Sequence, residues 1–209
     1  PTAAHALEKL AKIGVSRIVA LPLYPHYSCA TSGSSLSDLQ RAATTIQTDF
    51  HITEIHGWPD NPLYIKSFAQ NIQEGLANFS TGKVEVVYSA HSLPVSFIEE
   101  GDPYCDHLQI TIEKIEAITG IKGRLCYQSR SGPVEWLSPS TPEMIETLAA
   151  EGCKNILMVP ISFVSDHVET LYEIDMLYRE MAAENGMHCL SCTSLNTQPL
   201  FIESLKDLV

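Results

Sequence analysis

The chain has 209 residues, 44% of them hydrophobic and 18% charged, and its 13 Lys+Arg against 25 Asp+Glu leave a net charge of -12. That balance excludes a disordered or collagen-like chain and a basic phosphate-tracking surface, so no nucleic-acid partner is expected. The longest apolar stretches, such as 156–163, are broken by Pro160 and fall well short of the roughly 20 residues a bilayer span needs.

In chain order, residues 16–21 predict a first strand, 36–48 a helix, 52–57 a strand, 63–77 a helix and 84–89 a strand. Residues 104–119 then predict a helix, 123–128 a strand, 142–151 a helix, 155–160 a strand and 168–185 a helix. The strand segments are short, continuous and rich in β-branched residues, as buried parallel strands are, and the helical segments are long enough to cross over between them. This alternation defines an α/β class with parallel sheets. Ser140-Thr141-Pro142-Glu143 offers a helix start, and Gly152 and Gly186 follow helix ends. Trp58-Pro59-Asp60-Asn61-Pro62 is the strongest internal boundary, since its prolines interrupt any regular element.

Six cysteines at positions 29, 105, 126, 153, 189 and 192 show no dense framework, which predicts reduced thiols and a cytoplasmic location. The chain begins at Pro1 with no Met and no signal segment, so a longer parent or an unseen start is expected. There is no P-loop, GxSxG or GxGxxG, and Cys189-x-x-Cys192 lacks the second pair that a structural zinc site requires.

In open parallel sheets, ligands gather beyond the carboxyl ends of the strands. There the sequence places Tyr24, His26 and Ser28, then His91, then Ser129 and Arg130, then Ser162, Asp166 and His167. His91 closes a strand, while Glu169 and Glu173 stand four apart on one helix face. Together they offer one nitrogen and several oxygen ligands, suited to a divalent metal such as Fe(II), and bases for taking protons. A solvated acidic face and a structural histidine are the plainer reading of the same residues. Tyr24, Tyr27, Phe97, Tyr104, Trp136 and Phe163 would line a wide flat pocket, or serve as core.

Four spaced motifs carry a family resemblance. They are Leu21-Pro22-Leu23-Tyr24-Pro25-His26-Tyr27-Ser28-Cys29-Ala30-Thr31-Ser32-Gly33, Ser89-Ala90-His91-Ser92-Leu93-Pro94 with Gly101-Asp102-Pro103-Tyr104, Tyr127-Gln128-Ser129-Arg130-Ser131-Gly132-Pro133-Val134-Glu135-Trp136, and Phe163-Val164-Ser165-Asp166-His167-Val168-Glu169-Thr170-Leu171-Tyr172-Glu173. In this order they closely resemble ferrochelatase.

The resemblance implies two Rossmann-like chelatase domains with parallel sheets flanked by helices, and insertion of Fe(II) into protoporphyrin to make haem. It implies His91 and Glu169 as catalytic, His91, Glu169 and Glu173 around the metal, and Tyr24, Ser28, Thr31, Ser129, Trp136 and His167 at the porphyrin. It also implies a π-type widening of the helix, with Glu169 and Glu173 along one line into the pocket, and it admits peripheral membrane association. Residues 1–57 correspond to the end of a first domain, 58–192 to the second, and 193–209 to a terminal helix returning to the first. The family has roughly a hundred further residues before the position of Pro1, so half the porphyrin pocket and activity of the isolated chain are expected to be missing. Cys29 matches a [2Fe-2S] ligand of some members, with Cys189 and Cys192 and then Cys126 or Cys153 as the available partners, though plain buried thiols are preferred. Leu177 breaks the acidic row that many members continue. A sirohydrochlorin-type cobalt or nickel chelatase and a non-catalytic tetrapyrrole or metal carrier are the competing readings.

Overall fold

The computed structural model describes residues 2–46 and 48–209. It opens with α1 (Ala3–Lys12), β1 (Arg17–Ala20), a single π-turn at Cys29–Gly33, α2 (Ser34–Thr45) and β2 (His51–Glu54). The expected extension of α2 to residue 48 crosses Gln47, which lies outside the described residues. Strands β1 and β2 pair in parallel, Ile18 opposite Ile52, as a two-stranded sheet.

The second sheet uses β3 (Val84–His91), β4 (Gly123–Gln128), β5 (Asn155–Pro160) and β6 (His188–Ser191), in the order β4-β3-β5-β6 and parallel throughout. Its strands alternate between two apolar layers, as the pleat requires. Val86, Tyr88, Ala90, Leu157 and Val159 face one layer, shared with α3 (Pro62–Ala77) and α5 (Tyr104–Thr119). Val87, Cys126, Ile156 and Met158 face the other, shared with α6 (Thr141–Ala150), a π-helix at Thr170–Tyr178 and α7 (Arg179–Glu184). Helices thus cover both faces, which is why these strands read as continuous apolar runs.

Local signals fix the helix starts. The Asn61 side chain accepts from the Leu63 and Tyr64 amides ahead of Pro62, and Ser140 with Glu143 forms a reciprocal capping box. A short helix, α4 (Val95–Glu99), leads towards α5. The terminal helix α8 (Pro199–Leu208), expected to return to residues 1–57, has its packing on α3, with Phe201 6.2 Å from Trp58 between ring centroids. Asn61 Nδ2 donates to Asp207 there, at 3.0 Å. No helix of the described residues is long and apolar enough to cross a membrane.

Candidate functional site

The carboxyl ends of β1, β3 and β5 lead to one cavity of about 320 Å³, lined by Tyr24, His26, Ser28, Thr31, His91, Tyr104, Ser162, Phe163, His167 and Glu169 among others. His91, the last residue of β3, stands on its wall. The ring Nδ1 lies 2.7 Å from the Ser92 carbonyl, an acceptor only, so Nδ1 carries the proton and the Nε2 lone pair is left for chemistry. Nε2 stands 3.7 Å from Glu169 Oε2. Both side chains are more than a third exposed, at 38% and 39%, so a group entering the cavity can reach them.

The backbone of His91 is held as firmly as its ring. Its N–H donates to Ser162 Oγ at 2.9 Å, and its carbonyl accepts from Tyr104 Oη at 2.9 Å. Tyr104 is buried, which raises its hydroxyl well above the usual phenol range. Phe163 packs edge-on between His91 and His167, with centroids 6.3 and 4.5 Å away.

The opposite wall comes from residues 24–31. Ser28 caps the π-turn by accepting from the Ala30 amide, and a Cβ at Gly33 would meet Tyr27 Oη at 2.7 Å, so the tyrosine ring packs directly over this glycine. This wall is stitched to the second sheet's side by the Tyr27 amide donating to His107 Nδ1 at 3.1 Å, and by Ser28 Oγ and the Cys29 amide donating to Asp102 at 2.9 and 2.7 Å.

Six of the nine residues assigned from the sequence line this cavity: Tyr24, Ser28, Thr31, His91, His167 and Glu169. Three do not. Glu173 faces a separate hollow of about 340 Å³ with Ser129 and Leu177, because Gln128 Nε2, Ser129 Oγ and Tyr178 Oη all donate to its Oε2, at 3.0, 2.7 and 3.3 Å. The π-helix is present, with Glu169 at its start on the larger cavity and Glu173 on the separate hollow. Trp136 is drawn away by its strand-like bridge to Pro94, flanked by the Val95 amide donating to the Glu135 carbonyl and the Leu137 amide to that of Leu93, at 2.9 and 3.0 Å.

Among the described residues no group of three His, Cys, Asp or Glu side chains is arranged to hold a metal, so His91, Glu169 and Glu173 are not a ready-made ligand set. The cysteines considered for a cluster are also dispersed. Cys29 is exposed beside the π-turn, while Cys189 and Cys192 are buried in different apolar layers. Burial pushes the Cys126, Cys189 and Cys192 thiols up to about 12, which disfavours the thiolates that iron–sulfur ligation uses. Tyr104, expected among the pocket aromatics or the core, and Ser162, expected at a strand end, both line the cavity; Asp102 is given no role by the sequence, although Gly101-Asp102-Pro103-Tyr104 belongs to one of the motifs.

The ferrochelatase family model matches residues 1–209. Ferrochelatase of Desulfotalea psychrophila is 58% identical over 209 residues, covering 100% of this chain and 65% of its own length, and that of Geotalea uraniireducens is 51% identical, covering 100% and 66%. The mitochondrial ferrochelatase of Xenopus laevis is 43% identical, covering 100% and 53%. The chain therefore spans about two thirds of the length of the bacterial relatives it matches. Among solved structures, SirB from Bacillus subtilis with Fe3+ superposes with a TM-score of 0.71 at 13% identity, over 99% of this chain and 75% of that one, a likeness of fold alone. Parallel sheets flanked by helices, four motifs in order and a match along its whole length show that this chain belongs to the ferrochelatase family.

Proposed function

We propose that the protein containing this chain inserts Fe(II) into protoporphyrin IX to form haem. The observation that carries this reading is the His91–Glu169 pair, a free ring nitrogen and a carboxylate 3.7 Å apart on the wall of one cavity. A carrier of tetrapyrrole or metal needs no such pair; insertion does, because two pyrrole protons must leave as the metal enters. In this reading His91 Nε2 takes a pyrrole proton, and the Glu169 carboxylate offsets the positive charge the ring then carries. Once that proton passes to solvent, the same pair accepts the second. Tyr24, Ser28, Thr31 and His167 contact the macrocycle, whose binding energy supplies the distortion that exposes its nitrogens. Ferrous iron is a substrate here. A volume of about 320 Å³ lies at the lower end of the range for ligand pockets, in keeping with a chain that spans about two thirds of its relatives.

The test uses the full-length protein. His91→Ala and Glu169→Gln should each lower Fe(II) insertion into protoporphyrin by about 100-fold or more while porphyrin still binds, since the pair acts on protons and metal more than on macrocycle affinity. Retention of more than about a tenth of the wild-type turnover removes that residue from the mechanism. Parallel assays with Co(II) and sirohydrochlorin distinguish the competing chelatase activity, and wild type inactive on both pairs would leave the carrier reading.

A further inference from the structure

Asp102 does not itself line the cavity and makes no hydrogen bond to His91, yet it joins the two walls of the site. Its Oδ2 accepts from Ser28 Oγ and from the Cys29 amide, at the start of the π-turn that forms one wall. Its Oδ1 accepts from the Tyr104 amide at 3.0 Å, in the first turn of α5. Tyr104 Oη donates to the His91 carbonyl, and the hydroxyl that accepts the His91 amide, Ser162 Oγ, stands beside the same phenol. The backbone on both sides of the His91 α-carbon is thus held by a pair of neighbouring side chains. One of that pair is anchored at its own backbone by Asp102. Tyr104 is 6% exposed, so it has little room to move independently of either contact.

From this continuous path, and resting on the reading of His91 as the proton acceptor, we propose that Asp102 is a positioning residue: it couples the Ser28–Gly33 wall to the setting of the His91 ring through Tyr104. Contact of a porphyrin with the wall bears on Ser28, and Asp102 transmits the load to Tyr104. Tyr104 then holds the strand end so that Nδ1 stays bonded to the Ser92 carbonyl and Nε2 faces the substrate. A carboxylate is required, because one oxygen serves Tyr104 while the other serves Ser28 and Cys29. In Asp102→Asn one of those sides meets an NH2 group, and an amide N–H cannot turn away as a hydroxyl can.

The test compares wild type, Ser28→Ala, Asp102→Asn, Tyr104→Phe and the double variant Asp102→Asn/Tyr104→Phe in the full-length protein. Long-range 1H–15N spectra report the fraction of His91 with its proton on Nδ1, and native-state hydrogen exchange reports the His91 amide. Wild type should hold the ring as the Nδ1–H form. Asp102→Asn should lower that fraction and speed His91 amide exchange by about tenfold at a site it does not touch, with a smaller change in the same direction for Ser28→Ala. The double variant should do no more than the larger single change, as expected of members of one path. A merely local role for Asp102 would speed exchange at Cys29 and Tyr104 and leave the His91 ring and amide as in wild type, and that result overturns the coupling. Additive effects, or a wild-type His91 found mainly as the Nε2–H form, overturn it equally. Where Asp102→Asn does not fold, Ser28→Ala carries the test, since it removes one donor and leaves the Tyr104 contact in place. Failure of the proposed function shows separately, as a full-length wild type that inserts no metal while these spectra stand.

Discussion

Burial holds His26 neutral. It lines the same cavity at 2% exposure, and its Nε2 donates to Thr111 Oγ1, whose own hydroxyl proton goes to the Pro59 carbonyl. Its buried Nδ1 has no partner among the described residues. Desolvation, with His107 nearby, lowers its pKa from 6.5 to about 3. Between those values the unfolded chain binds the proton and the folded chain does not. The stabilisation is therefore complete above pH 6.5 and is lost as pH falls towards 3, at up to about 1.4 kcal/mol per pH unit. His26→Gln should weaken that acid dependence, and urea midpoints of the two proteins at pH 7.5 and 5 check it; parallel lines would assign the acid slope to other groups. At this scale His91 and Glu169 were legible as cavity residues, because one ends a strand and the other opens a helix inside a recognisable motif. Asp102 was not, since its partner Ser28 lies 74 positions away and nothing in the local pattern announces the contact. Ser129 and Trp136 looked like pocket residues for the same strand-end reason, until the loop carrying them bonded to residues 93–95 and to Glu173.

Elements with strong periodicity were legible nearly to the residue: the expected helix 104–119 is α5 (Tyr104–Thr119) and the expected strand 123–128 is β4 (Gly123–Gln128). Strand β6 escaped because it has four residues and begins and ends on His188 and Ser191. Helix α1 was likewise not predicted. The π-turn at Cys29–Gly33 hides in a run of small polar residues that reads as loop, and the longer π-helix was foreseen from family resemblance alone. Packing between elements also lies beyond the pattern, as Gly75 shows. A glycine inside α3 costs about 1 kcal/mol against alanine by helix propensity. Here a Cβ would meet Leu157 Cδ1 at 2.9 Å and Cδ2 at 3.1 Å, and Leu157 is fully buried in the interior strand β5. Overpacking of that kind costs about 1–3 kcal/mol, enough to outweigh the propensity gain. Gly75→Ala should therefore leave stability unimproved or lower it by up to about 2 kcal/mol, read as an unchanged or lower urea midpoint at constant m-value; a clear rise would show that Leu157 gives way.

Across the whole molecule, the two sheets differ in what sustains them. Strand β3 is eight residues long and bonded on both sides, with Val87 and Ala90 fully buried. Strands β1 and β2 have four residues each, alternate between exposed and half-buried, and pair only with each other among the described residues. A two-stranded unit has little stability of its own. Beside it α1 and α2 pack on each other, and hydrogen bonds tie residues 22–29 to Trp58, Asp102 and His107. Amides of Ile18–Ala20 and Ile52–Glu54 should therefore exchange at least about 100-fold faster than those of Val86–Ala90 in native-state hydrogen exchange. Equal protection would mean that both sheets open as one unit.

The fixing of the His91 ring has a consequence for how such a site can be inherited or transplanted. The acceptor that selects its reactive nitrogen is the carbonyl of the very next residue, and its backbone partners and facing carboxylate all come from residues 91–169. None of these contacts is supplied by the two-stranded sheet. The direct contacts that select the reactive nitrogen therefore lie within one contiguous stretch of sequence, much as a cassette carries its own settings. The wall formed by residues 24–31 can diverge to suit another macrocycle without the base having to be invented again, as long as Ser28 and the Cys29 amide still meet Asp102.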